Sequence, residues 1–456
     1  MTTGRARGLS PGSAGYPPGR VPSGPPRPTT PHRNLRTGRV IHPMRVLSES
    51  QLAAVLSAVP TCPRVVVSGN HATPHRALDV LDKAVAEYRL FALNAQPGIP
   101  DREGVVLETP FVGPGMRGKR ALRYFPSRLS LVPHLLRQAL PPDVVLVHTS
   151  TPVDGCVSLG TEVNVLPAAV EAVRARGGLV IAQLNPRMPY THGDGVLSCD
   201  EVDCAIEVDE PLTSPAPRVT GEVSGVIAER VAALVPEGAT LQTGIGAVPD
   251  AVLAALTARR GLAVWSEMFS DGVLGLERAG ALDPGTPVTA SFVFGGQELY
   301  DWVDRNPRVR LLRTEKTNDP GLIARRRRLV SINSALQVDL YAQANASRVR
   351  GAIYSGFGGQ TDFVVGALHS PGGRAIVALP SWHPKADVST VVPRLTGPVT
   401  SFQHSCLVSE QGAATIWGHD AGEQAQQIID HVAHPRVRDE LTEAGRGLGF
   451  PLRPPA

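Results

Sequence analysis

The sequence predicts an α/β protein built from two tandem, related domains with mainly parallel sheets covered by helices. Three observations carry that reading. Short β-branched apolar runs alternate with Ala/Leu-rich amphipathic stretches, the pattern of strands buried on both faces by helices. Two pairs of motifs recur in the same order along the chain. At 456 residues the chain is also too long for one ordinary core.

Residues 1–48 come first. Eight arginines and no acid fall there, within Pro, Gly and Ser that include "GRARGLSPGSAGYPPGRVPSGPPRPTTPHRN". Such a segment cannot bury enough surface to offset its ordering entropy, so it is expected to be disordered. The first domain is expected over 49–213. In it "RVVVSGN" leads into the helical "PHRALDVLDKAVAEYRL", "DVVLVHTS" ends in a loop, "LPAAVEAVRARGG" reads as a helix and "LVIAQLNP" as the next strand. Pro, Ser and Thr crowd "PLTSPAPRVTGEV" at 211–223, which marks a join, and the second domain is expected over 214–456. The repeats tie the halves together. "SGNHATPHRAL" and "TGIGAVPDAVL" share Gly69 and Gly244, then Pro74 and Pro249, then Leu78 and Leu253. "GGLVIAQLNP" and "GGRAIVALPS" share a Gly pair followed by Ile and Leu at equal spacing.

Composition narrows the function. At 42% apolar and 19% charged, the chain reads as a soluble globular protein. It has neither a run of eighteen uncharged apolar residues nor a secretory h-region, so a cytoplasmic protein with no membrane partner is expected. The net charge of +4 comes from the first 48 residues, and the remainder holds 37 basic against 41 acidic residues. Nucleic-acid binding by the folded body is not expected. Five cysteines form an odd set with no CxxC and no Cys/His clustering, which reads as free thiols and no metal site.

The chemistry-bearing segments each admit more than one reading. In "AVWSEMFSDG" a short apolar run ends in Glu267: a reagent, an anchor for a nucleotide ribose, or a strand-end residue. The turn "LQTGIGAVPDAVLAAL" lies 21 residues ahead of it, close to dinucleotide-binding spacing, which makes an NAD-dependent oxidoreductase a rival. Against that rival, Pro249 stands where the fingerprint has Gly or Ala, and Asp250 would repel a pyrophosphate at the helix start. "YSGFGGQTDF" offers Gly356, Gly358 and Gly359 after a strand, either an oxyanion hole or anion nest, or a wide loop. Asn318 in "EKTNDP" reads as a cap or Asx-turn residue. His192 and Asp194 read as a solvated or locally bonded pair, and Cys156 as a buried inert thiol. No GxxxxGK[ST] or HExxH is present, and no GxSxG occurs beyond the Pro/Gly/Arg-rich tail.

In order, "VNVLPAAVEAVRARGGLVIAQLNPRMPYTHGDG", "LQTGIGAVPDAVLAAL", "SEMFSDGVLGL", "FVFGGQELYDWVDRNPRV", "INSALQVDLYAQ", "YSGFGGQTDFVVGALHSPGGRAIVALPS" and "VSEQGAATIWG" resemble the acetyl-CoA hydrolase/transferase family of class I CoA-transferases, most closely the 4-hydroxybutyrate CoA-transferases. The resemblance spans about residues 50 to 450. It implies two CoA-transferase-type α/β domains in a homodimer, with CoA as a substrate and no cofactor. Glu267 falls on the catalytic glutamate, Asn318 on the Asn that positions it, and Gly358 and Gly359 on the donors to the thioester oxygen. Gly244, Gly246, Ala247 and Pro249 would border the acyl pocket, with Gly356 and Gln360 in the substrate-binding loop and Lys385 against a CoA phosphate. It implies ping-pong transfer of CoA from an acyl-CoA to a short-chain carboxylate through a glutamyl-CoA thioester. Hydrolysis of acyl-CoA at the same site, or acyl-CoA binding without catalysis, are the alternatives. "VSEQGAA", "FQHSC" and "WHPKADVSTVVPRL" depart from the family pattern and bear on the CoA-side contacts. For a dicarboxylate acceptor such as succinate, Arg313 or Arg325 would be the cation to consider.

Overall fold

Strands with both faces covered are mostly apolar, and the central runs here are buried throughout: all four residues of Arg64–Val67 and all six of Val144–Thr149, with Arg64, His148 and Thr149 as polar residues at their ends. The computed structural model describes residues 44–215, 221–397, 399 and 403–454. Eight strands form the first sheet, all parallel, in the order Arg45–Val46, Cys204–Glu207, Leu179–Leu184, Val144–Thr149, Arg64–Val67, Tyr88–Phe91, Val105–Thr109 and Leu122–Tyr124. The second sheet runs Ala263–Val264, Thr240–Thr243, Leu329–Ser334, Arg374–Ala378, Cys406–Val408 and Ala413–Thr415, parallel except for its last pair. This is the mainly parallel α/β architecture that the sequence predicts.

The repeats are structural. Arg64–Val67 feeds helix His75–Ala84, and Thr240–Thr243 feeds helix Ala247–Ala255. The paired glycines at 177–178 and 372–373 precede the strands Leu179–Leu184 and Arg374–Ala378, and each of these strands lies two places from its sheet's Gly-turn strand. Helix Ala247–Ala255 starts two residues earlier than Pro249 suggests, so that proline is its third residue. No intrahelical partner is needed there, since the first turn's N–H groups have none.

Order begins ahead of residue 49. Arg45–Val46 pairs with Cys204–Glu207, and Ser48 caps helix Glu49–Leu56 in a reciprocal box with Gln51. The disorder expected for 1–48 therefore does not extend over 44–48; residues 1–43 lie outside the described residues, as do 216–220 of the expected join. The two sheets share packing, because one apolar cluster runs from Val66 and Val147 to Leu241 and Ile376. A small sheet reinforces this by pairing His192–Gly193 with Val309–Leu311, which pairs on its other edge with Val288–Ala290. His192 and Asp194 are thus not a local pair. Asp194 accepts from the Arg313 backbone N–H at 3.1 Å and from Lys316 Nζ at 2.7 Å, so it fastens one half to the other. Cys156 is half-buried in strand Cys156–Ser158, and all five cysteines are free.

Candidate active site

The loops at the ends of the parallel strands converge on one cavity of about 290 Å³. Glu267 lines it. The residue leaves strand Ala263–Val264 and enters the two-residue strand Met268–Phe269, while its carbonyl accepts the N–H groups of Ser291 and Phe292 at 2.8 and 3.2 Å. Its backbone is therefore fixed, and its half-buried side chain lines the cavity. Burial pushes the Glu267 carboxyl up to about 7, against the opposing hydrogen bond from Asn318; the charge of Asp362 raises it further and the Gly359 N–H lowers it.

Asn318 is fully buried, and its Nδ2 donates to Glu267 Oε2 at 3.0 Å. A relay sets which end of the amide faces the carboxylate. Thr317 Oγ1 donates to Asn318 Oδ1 at 2.8 Å, and Ser291 Oγ stands 2.5 Å from that same hydroxyl. With its oxygen engaged, the amide presents N–H to Glu267. Asn318 is also the C-cap that the local sequence suggests, its N–H donating to the Thr314 carbonyl at the end of helix Thr314–Thr317, while Asp319 caps the next helix, Pro320–Ala324, by accepting the Leu322 N–H at 2.7 Å.

Each glycine of the 356–359 loop has its own reason. A Cβ on Gly356 would lie 2.6 Å from the Pro110 carbonyl oxygen, and Gly358 has φ +51°, the left-handed region. Gly359 has ordinary backbone, φ −93°, yet a Cβ there would lie 2.0 Å from Glu267 Oε2 and 2.1 Å from Asn318 Nδ2. The first domain clamps the loop, with the Val112 N–H donating to Ser355 O and the Leu129 N–H to Gly358 O. A wide, unconstrained loop is excluded.

Of the residues singled out in sequence, Gly244, Pro249, Glu267, Gly356, Gly358, Gly359 and Gln360 line the cavity, and Asn318 supports Glu267. Gly246 and Ala247 belong to the same turn but are not among the lining residues. Lys385 is not brought to the cavity; it lies in the exposed turn between Trp382–His383 and Val388–Ser389. Arg313 is committed to Glu171 and Glu315 at 2.6 and 2.8 Å, and Arg325 is an exposed residue outside the lining.

Sequence reasoning misses a second carboxyl. Glu162 is buried beneath the cavity wall, where Asn70 Nδ2 donates to it at 2.7 Å and Asn164 Nδ2 at 3.3 Å, while Asn94 Nδ2 donates to Asn70 Oδ1 at 2.7 Å. Burial pushes Glu162 up to about 8; the two amides oppose this and the nearby Glu267 adds to it. Asn70, Asn94 and Asn164 all line the cavity in left-handed backbone, φ +48°, +45° and +44°, a conformation Asn tolerates better than most residues. Only the Gly-Asn pair at 69–70 carries a signal in sequence.

Family models for the acetyl-CoA hydrolase/transferase N-terminal and C-terminal domains match residues 111–215 and 295–445. A 4-hydroxybutyrate coenzyme A transferase of Clostridium kluyveri is 38% identical over 331 residues, 70% of this chain and 76% of the relative. A succinyl-CoA:acetate/propanoyl-CoA:succinate CoA transferase of Fasciola hepatica is 35% identical over 409 residues, 83% of this chain and 84% of the relative. Among solved structures, a 4-hydroxybutyrate CoA-transferase from Porphyromonas gingivalis superimposes with a TM-score of 0.75 at 31% identity, covering 89% of this chain and 98% of that one. The chain belongs to the acetyl-CoA hydrolase/transferase family, and it is an enzyme of the CoA-transferase type.

Proposed function

We propose that the enzyme moves CoA from an acyl-CoA to a short-chain carboxylate of the acetate, butyrate or 4-hydroxybutyrate kind, with Glu267 as nucleophile. The observation that carries this reading is a carboxylate facing the cavity between the Asn318 amide and the Gly359 N–H. A carboxylate in water is a weak nucleophile, and partial desolvation is what makes it useful against a thioester. Glu267 attacks the acyl carbonyl, forming a mixed acyl-glutamyl anhydride and releasing CoA thiolate. The thiolate attacks the glutamyl carbonyl, which frees the first acid and leaves a glutamyl-CoA thioester. The incoming carboxylate reverses both steps and leaves as the new acyl-CoA. One thioester replaces another, so no ATP and no cofactor is needed.

The Gly358–Gly359 main chain lies beside the carboxylate, where its N–H groups can steady the oxygen on which charge develops. Water entering the cavity would turn transfer into hydrolysis, and the transferase reading is preferred because the relatives described above are named as transferases. An NAD site at the 244–249 turn is disfavoured by Asp250, which holds a negative charge in the helix's first turn beside Ser270 Oγ at 3.1 Å. On the family resemblance, a cytoplasmic homodimer is the expected form. The test is exchange between acetyl-CoA and a panel of short acids. Glu267→Gln should abolish exchange while CoA still binds, and a variant keeping more than a few per cent of turnover would remove Glu267 from the central role.

A further inference from the structure

We infer that the phosphates of CoA's nucleotide end dock on a cationic rim at the cavity mouth, with Arg117 as the principal anchor. This rests on the reading of the enzyme as one that binds acyl-CoA. A cavity of about 290 Å³ sits at the small end of what a drug-sized ligand fills, roughly 300–1,000 Å³, and CoA is larger than such a ligand. The acyl group and part of the pantetheine arm fill it, and the nucleotide lies outside.

Two segments meet where the nucleotide must lie. Residues 113–124, "GPGMRGKRALRY", hold four cations and no acid; residues 343–354, "QANASRVRGAIY", hold two cations and no acid. They are bound to each other. Arg117 Nε donates to the Tyr354 carbonyl at 2.9 Å, and its guanidinium carbon lies 3.9 Å from the centre of the Tyr354 ring. Tyr354 lines the cavity yet is 42% exposed, which sets it at the mouth. Arg348 lies on the adjoining hairpin, close enough to influence Tyr124 across the seam.

The cations of the rim fall into two groups. Lys119 pairs with Asp101 at 2.5 Å, and Arg123 shares Glu108 with Arg64, at 3.1 and 2.7 Å. Among the described residues, Arg117, Arg120, Arg348 and Arg350 form no ion pair. Arg117 differs from Arg348, whose Nη1 is spent on the Gly351 carbonyl at 2.9 Å, in being held through its Nε and its face: the Tyr354 carbonyl and ring fix its plane while its two terminal NH₂ groups remain for a ligand. A planar fork fixed in advance suits phosphate oxygens, since less side-chain freedom is lost when it binds. CoA is the polyanion that this reaction brings to the mouth.

The test compares acetyl-CoA, acetyl-dephospho-CoA and acetyl-pantetheine as donors for the full-length wild type and for Arg117→Gln and Arg117→Glu. Loss of one charge-assisted contact should raise KM for acetyl-CoA about tenfold or more in Arg117→Gln, and further in Arg117→Glu, with kcat changed much less. The constants for acetyl-pantetheine, which has no phosphate, should stay within about twofold. A loss confined to acetyl-CoA assigns Arg117 to the 3′-phosphate, and a loss shared with acetyl-dephospho-CoA assigns it to the pyrophosphate. Equal losses with all three donors, or no loss with any, overturn the assignment. Equilibrium binding of CoA itself keeps the two readings apart. Wild type that binds CoA without exchanging it, with Arg117→Gln binding about tenfold more weakly, would sink the transferase reading and keep the rim; equal binding by both would sink the rim.

Discussion

Gly359→Ala isolates the geometry on which the chemistry rests. The backbone there, φ −93°, accepts alanine without strain, so the new methyl acts only through what it touches. Built on the chain, it stands 2.0 Å from Glu267 Oε2 and 2.1 Å from Asn318 Nδ2, where ordinary contact needs more than 3 Å. The carboxylate must retreat by about 1 Å, and a misplacement of that size costs on the order of 10²-fold in rate. Disruption of the 3.0 Å Asn318 bond, a charge-assisted contact worth about 1.5–3 kcal/mol, adds to the loss. A fall in kcat of about 10² to 10³ is expected. Gly358→Ala is the contrast. Its φ of +51° costs about 1–2 kcal/mol of stability, and its methyl would press on the Phe111 ring at 3.1 Å while lying 3.8 Å from Glu267 Oε1, an ordinary contact that leaves the carboxylate in place. Initial rates of CoA exchange, read beside thermal unfolding, separate the two. Gly359→Ala with more than a third of wild-type kcat and an unchanged melting temperature would refute the argument.

Two further expectations concern titration. With the Glu267 carboxyl pushed to about 7, kcat/KM should rise with pH through that region as the nucleophile ionises, and a profile flat from pH 5 to 8 would contradict the assignment. Glu162 bears on stability: its carboxyl goes from 4.5 to about 8 on folding, so the folded state favours the neutral form, fully present below pH 4.5 and lost as pH rises through 8. That shift corresponds to roughly 5 kcal/mol. Glu162→Gln is permanently neutral and should therefore melt higher than wild type at pH 9 and not at pH 4.5; the same difference at both pH values would show that Glu162 does not titrate across this range.

The sequence made the sheets legible because buried parallel strands are written around short apolar runs, as at residues 65–67 and 144–147. The duplication was legible for a related reason: a strand that turns through Gly into a helix needs the same few residues in both halves. The reading failed where meaning depends on three dimensions. Local sequence reads Asn318 as a cap, which it is at the end of helix Thr314–Thr317, but its contact with Glu267 crosses 51 positions and is reached only through the family resemblance. Glu162 carried no pattern at all, since Asn70 and Glu162 meet only when the sheet brings residues 92 apart together. Lys385 stands in an exposed hairpin outside the cavity lining, and its expected contact with a CoA phosphate rests on the resemblance alone.

The account turns on a covalent bond to one side chain. Wild-type enzyme mixed with acetyl-CoA, reduced with borohydride and digested should yield the Glu267 peptide with the carboxyl converted to an alcohol, as a glutamyl thioester requires. The peptide should stay unmodified when acetyl-CoA is withheld. An unchanged Glu267 peptide from enzyme that is actively exchanging CoA would contradict the mechanism at its centre.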